Sequence, residues 1–214
     1  MHYNGTAWSS FTCPQPTASI TAVYALTPAL AWAVGTTGSY GYVFAWDGTR
    51  WSQAFTAAYQ SALSGVWATA ADNVFAVGYS YGGSYGGLAY RYNGTTWLSV
   101  GSANNATLLA VHGSDANNIW TVGTNGTILR WTGTQFTSAI SPNSNINFQG
   151  IYATGANQAW AVGTNGSVGT LYRWGGVTWD PVPATNIPLF GISGLGPNKA
   201  WTVGQGGAIL RYTP

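Results

Sequence analysis

The sequence predicts an all-β chain built from five copies of one four-stranded unit. Three observations predict it: a short phrase ending in Val-Gly that keeps returning, aromatic residues at fixed distances around it, and a composition rich in strand and turn formers. The glycines of the phrase are Gly35, Gly78, Gly123, Gly163 and Gly204, at steps of 43, 45, 40 and 41 residues. Three residues before each stands a large aromatic, at Trp32, Phe75, Trp120, Trp160 and Trp201. A valine always precedes the glycine, at Val34, Val77, Val122, Val162 and Val203. Trp (12), Tyr (13) and Gly (30) are abundant, and Trp, Tyr, Val and Thr favour strands as Gly and Asn favour tight turns.

Each unit reads as four short strands, A to D, with alternation close to period 2. In the second unit strand A is "GVWAT" (65–69), and strand B is "NVFAVG" (73–78), which carries the phrase itself. Strand C, "GLAYRY" (87–92), ends on an aromatic that recurs at Trp46, Tyr92, Trp131, Trp174 and Tyr212. Strand D, "TTWLSV" (95–100), carries another aromatic five residues on, at Trp51, Trp97, Phe136 and Trp179. Strands A begin near residues 21, 64, 109, 150 and 190. The fifth unit has no strand D, because the chain ends at Pro214. At the other terminus, "HYNGTAW" (2–8) matches "RYNGTTW" (91–97) at five of seven positions, with Tyr3 and Trp8 at the same spacing.

A four-stranded unit of about 40 residues in series is a β-propeller blade. The expectation is therefore one domain, 1–214: a five-bladed β-propeller of four-stranded antiparallel blades. The blades cover about 20–55, 63–100, 108–139, 149–182, and 190–214 completed by 2–11, so that the N-terminal strand closes the ring. An open solenoid would not need complementary ends.

The quoted patterns "WAVGTNG…RWTG…F" and "FAVG…YRYNGTTW" resemble the bacterial "VWAVG–GTILHWDG–W" β-propeller repeats, common in surface and secreted proteins and mostly uncharacterised. The resemblance spans essentially the whole chain and implies the propeller fold. It departs from the family where His usually precedes the aromatic: Arg91, Arg130, Arg173 and Arg211 stand there, with Ala45 in the first unit. The architecture is similar to five-bladed tachylectin-type lectins, although no sugar-binding motif is shared. Function is argued from the site, not from the fold.

Loop lengths distinguish the two ends of the blades. From strand A to the strand B aromatic is ten residues in every unit, and from the strand C aromatic to the strand D aromatic is five. The B–C segment varies: 11, 14, 8, 11 and 8 residues from the phrase glycine to the strand C aromatic. The D–A segment varies from 12 to 14. Alternating strand direction puts B–C and D–A loops together, so all the variation falls on one face, and variable loops on a constant scaffold carry binding. The candidate ligand residues there are Tyr40 and Tyr42 of the first unit and Tyr79, Tyr81 and Tyr85 of the long loop "GYSYGGSYGG" (78–87). Tyr offers a flat apolar ring and a hydroxyl at low entropic cost, which suits sugars. A second candidate set shares one strand A position: Trp67, His112 and Tyr152, with Tyr24 and Ser193. This set either lines a central channel or fills the space between blades.

Catalysis is not expected. Glycoside hydrolysis needs two converging carboxyls, and only Asp47, Asp72, Asp115 and Asp180 exist, with no Glu. Asp180 reads as leading toward the variable face and the others as lying in fixed turns. His2 and His112 lie in different units and Cys13 is alone, so neither a metal site nor a disulfide is expected, and no cofactor. The Arg row reads as stacking on aromatics at blade interfaces. Five N-x-[ST] sequons, at Asn4, Asn93, Asn105, Asn125 and Asn165, mostly coincide with turns of the repeat.

With ten charged residues and a net charge of +2, nothing reads as a nucleic-acid surface. There is no membrane-length apolar run and no signal-peptide pattern at the N-terminus. The expected role is a non-catalytic, lectin-like carbohydrate-binding module. The alternative is a structural or adhesive subunit of a virion or bacterial surface, as monomer or assembly component. Expected partners are glycans or a cell-surface or virion protein, in an extracellular, cell-surface or virion setting.

Overall fold

The computed structural model describes residues 2–3, 5–83, 85–139, 143–183 and 186–212. After a short pair, β1 (His2–Tyr3) and β2 (Trp8–Ser9), the chain runs through five antiparallel sheets. The first is β3 (Ser19–Thr27), β4 (Leu30–Thr37), β5 (Tyr40–Trp46) and β6 (Trp51–Tyr59). The second is β7 (Ser61–Ala70), β8 (Asn73–Ser80), β9 (Gly86–Tyr92) and β10 (Trp97–Asn104). The third is β11 (Leu108–Asp115), β12 (Asn118–Gly123), β13 (Ile128–Trp131) and β14 (Phe136–Ser138), and the fourth β15 (Ile146–Gly155), β16 (Gln158–Asn165), β17 (Val168–Trp174) and β18 (Trp179–Val182). The fifth has three strands, β19 (Leu189–Gly196), β20 (Lys199–Gly204) and β21 (Ile209–Tyr212). Strands in every sheet pair in sequence order, as the repeat predicts.

The Val-Gly phrase has a steric cause. At the phrase glycine strand B crosses a bulge in strand A: register shifts between Leu63 and Gly65 opposite Gly78, and between Leu108 and Ala110 opposite Gly123. A Cβ at Gly35, Gly78, Gly123, Gly163 or Gly204 would fall on the carbonyl oxygen of Ser19, Ala62, Thr107, Asn147 or Pro188 respectively. The C–D corner needs a different glycine, in the left-handed region: Gly48, Gly94, Gly133 and Gly176 have φ between 95° and 101°. Beside it an Asx turn forms. Asp47 Oδ1 accepts N–H bonds from Thr49 and Arg50, and Asn93 Oδ1 accepts them from Thr95 and Thr96. The "NGT" of residues 93–95 is thus a turn.

The core lies between sheets. In the first three sheets the valine and aromatic of strand B face the next sheet, where they meet its strand A aliphatics and its strand C and D aromatics. Trp120, Val122 and Ile128 pack on Phe148, Ile151, Trp174 and Trp179. Phe75 and Val77 likewise meet Leu108, Val111, Trp131 and Phe136. Arginines fill the outer part of these seams. The guanidinium of Arg130 sits 5.0 Å from the Trp120 ring centroid and 5.8 Å from that of Trp174 in the next sheet, and its Nη2 donates to Asn118 Oδ1 at 3.3 Å. Arg91 does the same between Phe75 and Trp131. A planar cation between two rings is not replaced by an ammonium. Arg130→Lys should cost about 1–2 kcal/mol in urea unfolding.

Two expectations need correction. The N-terminal strand does not complete the fifth sheet: β2 pairs with β1, Tyr3 opposite Trp8, and β21 is an outer strand. The reason lies in the match itself. Tyr3–Trp8 reproduces the register of Tyr92–Trp97 and Trp174–Trp179, and Gly5 has φ 100° as in the other corners. "HYNGTAW" therefore brings its own strand C partner as well as a strand D, and closes locally. Nor is a ring seen among the described residues: each sheet packs on the next, but no such interface joins fifth to first. Val23 on the first sheet is 66% exposed, where its counterparts Val66 and Val111 are 7%. Ile209 on the fifth is 71% exposed, where Val43 and Ile128 are at most 1%. Residues 213–214 of the fifth unit and the sequon residue Asn4 lie outside the described residues.

Candidate functional site

The two ends of the sheets differ sharply in charge. Asp72, Asp115 and Lys199 lie at A–B turns, Asp47 and Arg50 at a C–D turn, and Arg91, Arg130, Arg173 and Arg211 in the last residues of strands C. Asp180, expected toward the variable face, is instead the second residue of β18, opposite Arg173 and beside the C–D corner, because strand D starts there rather than ending there. All ten charged side chains therefore sit at the constant end. The B–C and D–A loops carry none. At the constant end, hydrogen bonds from the Thr49 side chain and from the Arg50 and Thr49 backbone lower the Asp47 carboxyl to about 2.

The variable end carries the tyrosines. Tyr40 is 5.4 Å from Tyr59 and 6.5 Å from Tyr42, ring to ring, and Tyr79 is 6.2 Å from Tyr81 and 6.4 Å from Tyr85. The groups meet at the seam between the first two sheets. The Tyr81 hydroxyl donates to the Gly38 carbonyl at 2.8 Å, and Gln60 joins both loops, donating its N–H to Ser39 O and accepting from the Tyr81 N–H. Gln60 achieves this with φ 57°, in the left-handed region. Tyr40, Tyr59, Tyr81 and Tyr85 are exposed. Tyr59 is absent from the candidates read in the sequence because it falls at the end of strand D, where no loop is expected. The D–A spacing of 14 residues around it is the available signal.

On the third and fourth sheets the same face presents amides. Asn125 links two of its loops: its N–H donates to Asn147 Oδ1 and its side-chain amide to Asn105 O. A hollow of about 430 Å³ opens nearby, lined by Ser102, Asn104, Asn125, Thr127 and Ser138 among others.

The strand A set lies elsewhere. Tyr24, Trp67, His112 and Tyr152 form a row in successive sheets, with centroids 6.1, 5.6 and 5.1 Å apart. Trp67 and Tyr152 are buried and His112 is partly so. The Tyr152 hydroxyl accepts from Gly196 N–H at the A–B turn of the fifth sheet. This places the row in the constant half, packed between sheets and apart from the tyrosine loops. His112 Nδ1 accepts from the Ala153 N–H at 3.2 Å, and burial lowers the imidazole to about 4. Among the described residues no three His, Cys, Asp or Glu come close enough to share a metal ion, and no helix is long and apolar enough to cross a membrane.

Sheets of four antiparallel strands packed face to face in sequence order define an all-β repeat protein of propeller type. Comparison with solved structures bears this out. The chain is similar to YCF48 bound to D1 peptide (19% identity, TM-score 0.67, covering 98% of this chain and 69% of that one). It is also similar to the SapL1 lectin in complex with alpha methyl fucoside (13%, 0.59, 92% and 80%) and to the RRP9 WD40 repeats (10%, 0.63, 92% and 76%). At these identities the likeness concerns fold alone. No family model and no curated protein matches the sequence.

Proposed function

We propose that this chain is a non-catalytic binding module that takes a neutral, hydroxyl-rich ligand, a glycan, on its variable face. One observation carries the reading: all charge is segregated to the opposite end, leaving a face of tyrosine rings, hydroxyls and amides. Such a face has no cation to neutralise a phosphate backbone and no carboxyl to move a proton. It offers flat rings for sugar C–H faces and donors and acceptors for sugar hydroxyls. The tyrosines gather at one seam, so the site is a single principal one, not five equal ones. The likeness to a fucoside-binding lectin is compatible with this reading through the fold.

The test is a glycan array followed by calorimetry on the best hit. Tyr40→Ala and Tyr85→Ala, both at exposed rings, should each weaken binding roughly tenfold, as loss of a stacking contact worth about 1–1.5 kcal/mol does. Melting temperature should stay within a degree or two. Tyr81→Phe, which keeps the ring and frees the loop from Gly38, should have a smaller effect. Unchanged affinity in both alanine variants would remove the tyrosine seam as the site.

A second reading, a structural or adhesive subunit of a surface or virion assembly, is favoured by the exposed apolar side chains of the two terminal sheets: Ile20 and Val23 on the first, Phe190, Leu195, Val203 and Ile209 on the fifth. An extracellular, cell-surface or virion setting suits both readings.

A further inference from the structure

Resting on the glycan reading of this face, we infer that the ligand is an oligosaccharide and not a single sugar. One end stacks on the tyrosine seam, and the other is hydrogen-bonded in the hollow between the second and third sheets. That hollow, of about 430 Å³, has the size of a small-molecule site, for which about 300–1,000 Å³ is usual. Ser102 and Asn104 of β10 form one wall, and Thr127 and Ser138 of the third sheet form the other. Ser102, Asn104 and Ser138 are exposed and Thr127 is half-buried. None of the four spends its hydroxyl or side-chain amide on another group among the described residues. The hollow therefore offers unspent donors and acceptors. No aromatic ring lines it among the described residues, so it can hydrogen-bond a sugar but cannot stack one. The tyrosine seam has the complementary property, with exposed rings at Tyr40, Tyr59, Tyr81 and Tyr85.

The two halves are joined by a line of backbone contacts. The Tyr85 carbonyl accepts the Asn105 N–H at 3.3 Å, the Asn105 carbonyl accepts the Asn125 side-chain amide, and the Asn125 N–H donates to Asn147 Oδ1 at 3.2 Å. Asn125 itself lines the hollow. No charged side chain interrupts the way from Tyr85 to it. The backbone marks the same line. Among the described residues three that are not glycine have positive φ: Gln60 at 57°, Asn105 at 56° and Asn125 at 55°. All three lie on this face and bridge its loops, whereas the corners of the constant end use glycine. Side chains in the left-handed region carry a cost and gather at ligand sites. The Asn125 turn does not itself require a side chain. The fifth unit makes the same turn with Gly206 at φ 66°, and the Gly204 N–H donates to Ala208 O as the Gly123 N–H donates to Thr127 O. The amide of Asn125 is thus an addition that fixes the loop between the seam and the hollow, and a face fixed beforehand loses less entropy when a long ligand binds.

The experiment is an array graded in length, carrying neutral homo-oligomers of glucose, galactose, mannose and N-acetylglucosamine, followed by calorimetry on the best oligomer and on its own monosaccharide. The oligomer should bind the full chain at least about tenfold more tightly than the monosaccharide, as two or so further hydrogen bonds allow. The double variant Asn104→Ala, Ser138→Ala should lose that gain with length and keep its melting temperature, since both side chains are exposed and free of hydrogen bonds within the described chain. Asn125→Gly, which suits the same φ, should lose part of the gain. Tyr85→Ala should weaken oligomer and monosaccharide alike. A monosaccharide that binds as tightly as the oligomer would overturn the extended site and leave the tyrosine seam as a site for one sugar. A gain with length that persists in the double variant would also overturn it, because the ligand then leaves the seam in another direction. Loss of binding in the double variant with none in the tyrosine variants would make the hollow a site by itself and remove the seam. Silence of every neutral sugar, short or long, would remove the glycan reading and the extended site together.

Discussion

Replacing Gly123 with alanine is expected to destabilise the chain by about 3 kcal/mol or more, and to deplete the folded state in expression tests. The phrase glycine has an ordinary extended backbone, so the penalty does not come from dihedral strain. It comes from the new methyl, which would lie on the Thr107 carbonyl and against Leu108 Cα. Both are backbone atoms, and neither can rotate away. Relief would require β11 to move off β12, and β11 is also the strand that packs on the neighbouring sheets through Leu108 and Val111. The strain would therefore reach the seam between the second and third sheets. Gly38→Ala is the control: no heavy atom lies within 4 Å of where its methyl would stand, so its effect should stay within about 1 kcal/mol. Urea unfolding of both variants checks the contrast. Equal small losses would mean that the glycine is a relic of the repeat and not a packing requirement.

The repeat is legible because the same local clash recurs five times and admits one residue. The strand order, the constant C–D corner and the arginine seams follow from the same regularity. The termini depart from expectation for an instructive reason. A match of five residues in seven shows that residues 2–8 form a repeat corner, but it does not say which strand C the segment pairs with. Tyr3 and Tyr212 are chemically equal partners for Trp8, and pairing at short range wins. Asp180 falls at the end opposite to the expected one because the position along strand D has to be counted from its corner, not from its loop. In the candidate site, the tyrosines of the long loop can be read from composition. Their convergence with Tyr59 through Gln60 cannot, since it depends on a left-handed residue and a bond between loops 43 residues apart.

The constant half makes its own prediction, in acid. His112 is neutral in the fold, wedged between Trp67 and Tyr152, with Nδ1 accepting the Ala153 N–H, which places its proton on Nε2. Protonation of Nδ1 would remove that bond and place a charge among rings, so burial lowers the group from its ordinary 6.5 to about 4. The unfolded chain then takes up the proton first. Stability is complete above pH 6.5, declines as the pH falls toward about 4, and changes no further from this group below that. The loss across the window is about 3 kcal/mol, at 1.36 kcal/mol per pH unit of difference. The carboxyls do not confuse the window: Asp47 and Asp115 are lowered in the fold, so their contributions are lost in more acid solution. His112→Phe keeps a ring in the row but leaves the Ala153 N–H without its acceptor, costing about 1 kcal/mol at pH 8. It should flatten the slope between pH 6.5 and 4, so that the variant, the weaker protein at pH 8, becomes the stronger one at pH 4. Urea midpoints at the two pH values decide it. Parallel wild-type and variant curves would mean that another group sets the acid response and that the row tolerates an imidazolium.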